Sequence, residues 1–235
     1  MKIIIAPSKT QKSKLHDVIT GTIPVFQIEA DRLAKQIKSL PKDTLEKKMN
    51  INGLLLLSTY NLYQDYHNLP VGHALMSYTG TVFKELQLDQ VNLEKEHYIN
   101  NHLRILSALY GVLMPYDLIK PYRLDMKMGL HKVPLYQFWK LKLEAYFSDE
   151  VIVNLASNEY ATLVNRPMIS IEFRECGING TYKNIGYYAK VARGKMLANL
   201  IDRNILDVEQ IKTITFDGYS FNAAISTQKQ WFFTR

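Results

Sequence analysis

Four segments of the chain carry charged or amide side chains within otherwise apolar sequence. They are residues 7–10, 103–126, 154–160 and 189–194. Such groups are costly to bury without partners, so they indicate either internal ion pairs or a ligand. Lysine, arginine and hydroxyl side chains are suited to phosphate and carboxylate groups. We therefore expect the four segments to form one polar site that binds an anion.

The first segment follows an apolar strand predicted over Lys2–Ala6. Loops beyond the carboxyl ends of strands are the ligand-binding loops of open α/β sheets. Lys9 supplies a positive charge and Thr10 a hydroxyl, a pair that suits a phosphate group. The loop lacks the glycines of a Walker phosphate-binding loop, so an ordinary solvated loop is the alternative.

The second segment contains the runs Leu103–Gly111 and Lys120–Met126. Arg104, Arg123 and Asp125 stand there among apolar and aromatic neighbours. We expect this segment to form one wall of an anion-binding cleft. Arg123 is the residue predicted to face the ligand, whereas Arg104 is interpreted as structural.

The third segment, Asn154-Leu-Ala-Ser-Asn-Glu-Tyr160, follows another predicted strand. Ser157 or Asn158 could cap the next helix, which is the structural alternative. Capping does not account for Asn154, Asn158 and Glu159 together. A carboxylate among amides suits a site that positions a substrate, with Glu159 as a base, Ser157 in the chemistry and the two asparagines as ligand contacts.

The fourth segment lies near the start of a long predicted helix. Lys190 and Arg193 each stand seven positions before a leucine, so both lie on the stripe that later becomes apolar. Gly194 is costly inside a helix and indicates close approach by another backbone or by a ligand. The alternative to anion binding is a pair of buried ion pairs with Asp125 or Glu159.

Composition narrows the class of protein. The chain has 235 residues, a formal net charge of +7 and one cysteine, Cys176. The positive charge favours a polyanion or a phosphorylated ligand, and the single cysteine favours a reducing compartment. The apolar start Met1–Pro7 is too short for a signal peptide and no segment reaches membrane-spanning length, so we expect a cytoplasmic protein. The histidines lack a metal-ligand spacing, so no metal site is expected, and the sequence indicates no particular cofactor.

Predicted strands and helices are interspersed, with no linker or repeat between them. This favours a mixed α/β fold: residues 1–235 as a single compact domain, with a mixed sheet and surrounding helices. The predicted extended segments include His73–Tyr78, Arg104–Tyr110, Ile119–Met126, Ile211–Phe216, and a hairpin of Met168–Glu175 with Thr181–Ile185 across Gly177-Ile-Asn-Gly180.

The motifs together resemble the YaaA family of bacterial peroxide-stress proteins. The resemblance covers essentially the whole chain, and its order and spacing are more specific than any one motif. It is carried by Pro7-Ser-Lys-Thr10, Leu103–Gly111, Lys120–Met126, Phe138-Trp139, Asn154–Tyr160, Ala189–Gly194 and the closing Gly218–Phe221 and Phe233–Arg235.

The resemblance implies a cytosolic protein linked to peroxide stress through lowered free intracellular iron. It also implies DNA binding without sequence preference, through a positively charged cleft and a helix-hairpin-helix-like element. The best match to that element is Leu45-x-x-Lys48-Met-Asn-Ile-Asn52, where Asn50 and Asn52 replace the hairpin glycines. The lysines expected to contact phosphates are Lys42, Lys47 and Lys48.

Two functions of different classes therefore remain open. In the first, the protein binds DNA through the hairpin residues and the cleft. In the second, the same cleft binds a phosphorylated or carboxylated small molecule and acts on it, with the basic residues holding the anion. Amides and a carboxylate are not needed for contacts with DNA phosphates, and they favour the second hypothesis.

Overall fold

A computed structural model of the chain describes residues 1–17, 19–86, 92–128, 134–147 and 149–235. These residues contain ten strands: β1 (Lys2–Ile5), β2 (Gly72–His73), β3 (Leu103–Ser107), β4 (Gly111–Leu113), β5 (Leu118–Ile119), β6 (Ile152–Asn154), β7 (Ile169–Cys176), β8 (Tyr182–Lys183), β9 (Ser220–Phe221) and β10 (Gln230–Thr234). Eight of them form one sheet, and β2 pairs with β5 separately.

The centre of the large sheet is parallel. Its strand order is β4-β3-β1-β6-β7-β10-β9, with β4 and β9 antiparallel at the edges and β8 antiparallel to β7. Ile4 on β1 pairs with Arg104 on one side and Asn154 on the other. Because the chain leaves β1 toward β3 and later returns on its other side at β6, the sheet has a topological switch point beside β1. The predicted mixed α/β fold is confirmed.

Helices cover this sheet. They are α1 (Gln27–Lys38), α2 (Lys42–Met49), α3 (Gly53–Gln64), α4 (Ala74–Ser77), α5 (Thr81–Lys84), α6 (Leu93–His102), α7 (Leu135–Tyr146), α8 (Asn158–Ala161) and α9 (Gly186–Asp202), with 3₁₀ helices at Tyr66–Asn68 and Val208–Thr213. Within the described ranges, none of these helices combines the length and hydropathy needed to cross a bilayer.

The core is packed around the first strand. Ile3, Ile4 and Ile5 are fully buried, as expected for a central parallel strand covered on both faces. Trp139 of α7 is also fully buried, and its indole nitrogen donates to the carbonyl of Ala108 at 2.9 Å. This contact fixes the turn that follows β3, one of the segments of the predicted site.

The second half of α9 packs on the core and its first half packs on α5. A Cβ atom added to Gly194 would lie 2.6 Å from the carbonyl oxygen of Val82 and 2.6 Å from Cβ of Glu85. The close neighbour of Gly194 is therefore the backbone of α5, one of the two alternatives that the sequence left open. This packing fixes the position of α9 relative to α5.

Several predicted elements are wrong. Residues 74–77 form α4 rather than a strand, because Ala-Leu-Met favours helix once His73 has ended β2. In Ile119–Met126 only the first residue is in a strand, since Pro121 has no N–H for a ladder. Residues 208–213 form a 3₁₀ helix where a strand was predicted from Ile211.

The strand predicted over Arg104–Tyr110 is also too long at its carboxyl end. The strand ends at Ser107, and the chain turns back as β4 after residues 108–110. Gly111, at the start of β4, has a positive φ of 72°, which permits the turn. The predicted hairpin of β7 with β8 is confirmed, with Cys176 opposite Tyr182.

Candidate functional site

A cavity of about 450 Å³ opens at the carboxyl end of β1, beside the switch point of the sheet. We call it the strand-end cavity. Its wall is formed by residues 6–11 after β1, residues 80–83 around the start of α5, residues 122–125, four residues of the turn after β6, and Lys190 and Arg193 of α9. The four segments singled out in the sequence all contribute to this wall. Its volume is typical of a small-molecule site.

Seven of the nine residues predicted as catalytic or ligand-binding line the cavity: Lys9, Thr10, Arg123, Ser157, Glu159, Lys190 and Arg193. Asn154 and Asn158 do not. Asn154 is buried, its Oδ1 accepts from the backbone N–H of Ala156 at 2.8 Å, and its Nδ2 donates to Ser170 at 3.1 Å. It shapes the turn after β6 from within. Asn158 is exposed at the start of α8.

Two guanidinium groups in the wall have buried nitrogen atoms that lack a partner. The Nε atoms of Arg123 and Arg193 are sealed from solvent, and neither donates a hydrogen bond. Burial lowers the pKa of Arg193, an effect that the carboxylate of Glu172 partly opposes. Among the described residues, Asp125 pairs with Lys9, and neither Lys190 nor Arg193 forms an ion pair, so the predicted alternative of ion pairs with Asp125 or Glu159 is wrong. Arg123 forms no ion pair with a described residue either.

The loop after β1 is tied across the cavity. The Lys9 ammonium lies 2.9 Å from the carboxylate of Asp125. The hydroxyl of Ser8 accepts from the backbone N–H of Thr10 at 3.1 Å and lies 3.0 Å from the Thr10 hydroxyl. Lys9 is two-thirds exposed and Asp125 is one-fifth exposed, so the ion pair lies at the mouth of the cavity.

The turn after β6 presents a hydroxyl and a carboxylate. Ser157 occupies the N-cap position of α8, but its side chain makes no capping hydrogen bond. The capping alternative therefore does not account for its hydroxyl. The backbone carbonyl of Glu159 accepts from the Tyr136 hydroxyl at 3.0 Å. The carboxylate of Glu159 forms no ion pair with any described residue, so it is available in the wall.

Two buried tyrosines complete the site, and sequence reasoning missed both as site residues. The Tyr122 hydroxyl lies 2.8 Å from that of Ser107 and 2.9 Å from that of Tyr78. Burial raises the pKa of Tyr122 and of Tyr160, so both phenols stay protonated. Their positions inside the polar segments were the available signal, but aromatic residues among apolar neighbours are usually core.

Arg104 has the structural role expected of it. It is buried, and its Nε donates to the Tyr146 hydroxyl at 2.7 Å. Its Nη1 donates to the carbonyls of Asn100 and Leu103 at 2.9 and 2.6 Å. These bonds connect β3 with α6 and α7, and the side chain does not line the cavity.

The hairpin predicted to bind DNA lies elsewhere, between α2 and α3. Asn50 adopts the left-handed conformation, with φ 49° and ψ 51°, as an asparagine in place of glycine can. Gly53, at the start of α3, also has a positive φ of 55°, and the sequence comparison had not identified it as a hairpin glycine. The five predicted residues are Lys42, Lys47, Lys48, Asn50 and Asn52, and none lines the strand-end cavity.

A second cavity, about 510 Å³ in volume, lies along α1. We call it the basic groove. It is lined by Asp31, Arg32, Ala34, Lys35, Lys38, Tyr66 and His67. The side-chain amide of Gln64, at the end of α3, donates to the carbonyl of Lys38 at 3.0 Å. Lys38 precedes the start of α2 at Lys42 by four residues, so the groove adjoins the start of α2.

The described residues contain no group of three or more histidine, cysteine, aspartate or glutamate side chains placed to hold a metal ion. The donors of the strand-end cavity are instead four cations, two carboxylates and several hydroxyls. This composition suits an anion that also carries hydrogen-bonding groups.

Comparison with known proteins agrees with the motifs. Residues 1–225 match the family described as peroxide stress protein YaaA. A UPF0246 protein of Fusobacterium nucleatum is 38% identical over 246 aligned residues, covering 100% of this chain and 99% of the relative. UPF0246 proteins of Acaryochloris marina and Rickettsia conorii are 36% and 32% identical, each aligned over 100% of both chains. The resemblance drawn from the sequence motifs is confirmed.

Proposed function

Because the chain belongs to the peroxide stress protein YaaA family, we propose that it acts in the response to hydrogen peroxide by binding a phosphorylated or carboxylated small molecule in the strand-end cavity. One observation carries the proposal: Arg123 and Arg193 line one cavity, neither forms an ion pair with a described residue, and the Nε atom of each is buried without a hydrogen-bond partner. A buried cation that lacks a protein partner is stabilised by a bound anion.

The charge of the wall supports this ligand class. Lys9 and Asp125 neutralise each other, which leaves Arg123, Lys190 and Arg193 against Glu159. The excess of positive charge matches a ligand that carries about two negative charges, such as a phosphate monoester or a dicarboxylate. The position at the switch point of a parallel sheet is where open α/β folds bind such ligands.

The hydroxyl of Ser157, which makes no capping hydrogen bond, and the carboxylate of Glu159 favour chemistry on that ligand. A carboxylate without an ion-pair partner can accept a proton from a ligand hydroxyl or amine, and Ser157 can take part in a group transfer. We assign Glu159 the role of base and Ser157 that of the second reacting group.

A link to lower free iron is part of this proposal, and we place it downstream of the ligand. The cavity wall has more cations than carboxylates, so it disfavours a divalent cation such as ferrous iron. Limitation of free iron, and with it of oxidative damage, would then follow from the metabolite that the protein binds or converts.

The test is a thermal-stability screen across nucleotides, sugar phosphates and dicarboxylates. A ligand present at 100 times its Kd stabilises the fold by about 2.7 kcal/mol, which raises the Tm of a chain of this size by roughly 5 to 10 °C. The shift should disappear in the Arg123→Met, Arg193→Met double variant. Arg203→Met is the matched control, because Arg203 is exposed at the other end of α9. No shift with any compound, or a full shift in the double variant, would overturn the proposal.

The α2–α3 hairpin favours a second candidate function, DNA binding without sequence preference. Lys42 and Lys47 are exposed on α2, and the left-handed Asn50 makes the tight turn that brings α3 beside it. The basic groove adds Arg32, Lys35 and Lys38 close to the start of α2. Lysines and arginines spread over two helices suit contacts with phosphates of a nucleic-acid backbone.

This candidate is tested by the salt dependence of DNA binding. Each phosphate contact contributes a slope of about −0.9 in log K against log salt. The triple variant Lys42→Gln, Lys47→Gln, Lys48→Gln should bind DNA more weakly, and its log K should fall less steeply with log salt. Lys183 and Lys229, both exposed and outside these helices, provide a control double variant. For six phosphate contacts, the affinity for DNA should fall about 1,000-fold between 50 and 200 mM salt. Affinity that does not change over this range, or that survives the triple substitution, would exclude this function.

A further inference from the structure

Tyr160 is the one buried side chain in the turn after β6 that has a polar atom and no assigned role. The residue is 8% exposed and lines the strand-end cavity. Its hydroxyl forms no hydrogen bond with any described residue. Unlike the Nε atoms of Arg123 and Arg193, the hydroxyl is not sealed from solvent. A solvent-accessible hydroxyl on a residue of the cavity wall can therefore reach a ligand bound there.

The surroundings of Tyr160 fix what its hydroxyl can do. Burial, and then the nearby Tyr122, Asp125 and Glu159, raise the pKa of the phenol. The group therefore remains protonated and serves as a hydrogen-bond donor. Glu159 precedes it in the chain, lines the same cavity and offers a carboxylate that only accepts hydrogen bonds. In addition to the two arginines, the wall thus presents a hydrogen-bond donor and an acceptor on consecutive residues.

We propose that the ligand is a phosphate ester of a hydroxylated carbon skeleton, with Tyr160 donating to one of its oxygens, Glu159 accepting from one of its hydroxyls, and Arg123 and Arg193 holding the phosphate. This assignment rests on the function proposed above and narrows its ligand class. An alkyl phosphate satisfies the arginines but leaves Tyr160 and Glu159 without partners, and a simple dicarboxylate offers no donor to Glu159. Sites built to hydrogen-bond a substrate hydroxyl reject analogues that lack it.

The two arginines and the Tyr160–Glu159 pair make separable contributions. Inorganic phosphate reaches only the arginines, butyl phosphate adds an apolar chain, and ribose 5-phosphate adds hydroxyls and a ring oxygen. Comparison of the affinities for these three probes therefore isolates the contribution of Tyr160 and Glu159 to binding. A structural role of Tyr160 would change the affinity for all three equally.

The experiment measures the Kd of each probe by titration calorimetry for the unsubstituted protein, Tyr160→Phe and Glu159→Gln. We expect ribose 5-phosphate to bind at least about 10-fold more tightly than butyl phosphate, since two hydrogen bonds distinguish them. Tyr160→Phe should reduce that ratio about 5-fold and leave the Kd for inorganic phosphate within about twofold. Tyr98→Phe, which removes a buried hydroxyl bonded to the carbonyl of Ile205, is the control and should keep the full ratio.

The outcomes separate this inference from the function on which it rests. Equal affinity for ribose 5-phosphate and butyl phosphate, or a ratio unchanged in Tyr160→Phe, would overturn the role of Tyr160 while anion binding stands. Failure of all three probes to bind the unsubstituted protein would overturn the phosphate ester and, if dicarboxylates and nucleotides also fail, the proposed function as well.

Discussion

Lys9 and Asp125 form an ion pair of 2.9 Å across the mouth of the strand-end cavity, although 116 positions separate them in the chain. Lys9 belongs to the loop after β1, and Asp125 to the irregular segment two residues after Arg123. The pair therefore joins two walls of the cavity. It also places a second carboxylate, besides that of Glu159, in a wall that holds four cations, where it competes with a bound anion for the Lys9 ammonium.

Replacement of Asp125 by Asn should therefore increase the affinity for anions. The substitution removes one negative charge from the wall and releases Lys9, so we expect the Kd for inorganic phosphate to fall about 3- to 10-fold. Lys9→Met should raise that Kd. Because the pair lies at the surface, its removal should leave the Tm nearly unchanged. A double-mutant cycle by calorimetry checks this: strictly additive effects of the two substitutions would show that the ion pair does not modulate binding.

The sequence predicted which segments form the site and that they form a single site, but not how the sheet brings them together. Runs such as Asn154–Tyr160 were visible because polar residues follow an apolar strand, and the hairpin of β7 with β8 was visible in its turn residues. That Arg123 and Arg193 face one cavity depends on β1 lying between β3 and β6. Such pairings over long chain distances have no local signature.

The errors have the same origin. Asn154 was grouped with its polar neighbours, but its side chain points into the turn, a direction set by the pairing of β6 with β7. Tyr160 was not predicted as a site residue because a tyrosine among apolar neighbours is usually core, and only its hydroxyl without a partner among the described residues, in the wall of a cavity, distinguishes it. Residues 74–77 were assigned to a strand because one helical turn is too short for its period to be recognised.

Gly194→Ala should destabilise the protein although alanine is the better helix former. The added Cβ would lie 2.6 Å from the carbonyl of Val82, and overpacking of this kind costs about 1 to 3 kcal/mol. Gly186, at the start of the same helix, has open space where its Cβ would lie. Gly186→Ala should therefore be neutral or stabilising by up to about 1 kcal/mol. Urea unfolding of both variants measures the contrast, and equal effects would show that α9 does not rest on α5 at this point.

The stability of the fold should fall on mild acidification because of His73. Burial, and then the nearby His16, lower the pKa of His73, and its Nδ1 accepts from the backbone N–H of His16 at 2.8 Å. Below about pH 6.5 the unfolded chain binds a proton that the folded chain resists, so the free energy of unfolding should decrease by up to about 1.4 kcal/mol per pH unit. His73→Asn keeps an acceptor for that N–H and does not titrate. Urea unfolding between pH 7.5 and 5.5 should show a flatter profile for this variant, and parallel profiles would exclude His73 as the cause.

Arg193→Met should separate function from stability. The guanidinium is desolvated, makes no ion pair with a described residue and has a buried Nε without a partner, so the free protein carries an unfavourable charge there. Methionine of similar length removes that charge, and we expect the unliganded Tm to stay equal or to rise by a few degrees. The same substitution should abolish the ligand-induced rise in Tm.

Arg104→Met is the matched comparison, because Arg104 donates to the Tyr146 hydroxyl and to two backbone carbonyls, and its loss should lower the Tm by several degrees. A fall in the unliganded Tm of Arg193→Met as large as that of Arg104→Met would show that Arg193 is structural. A stable Arg193→Met variant whose Tm no longer rises with the ligand would show that the charge of Arg193 serves binding.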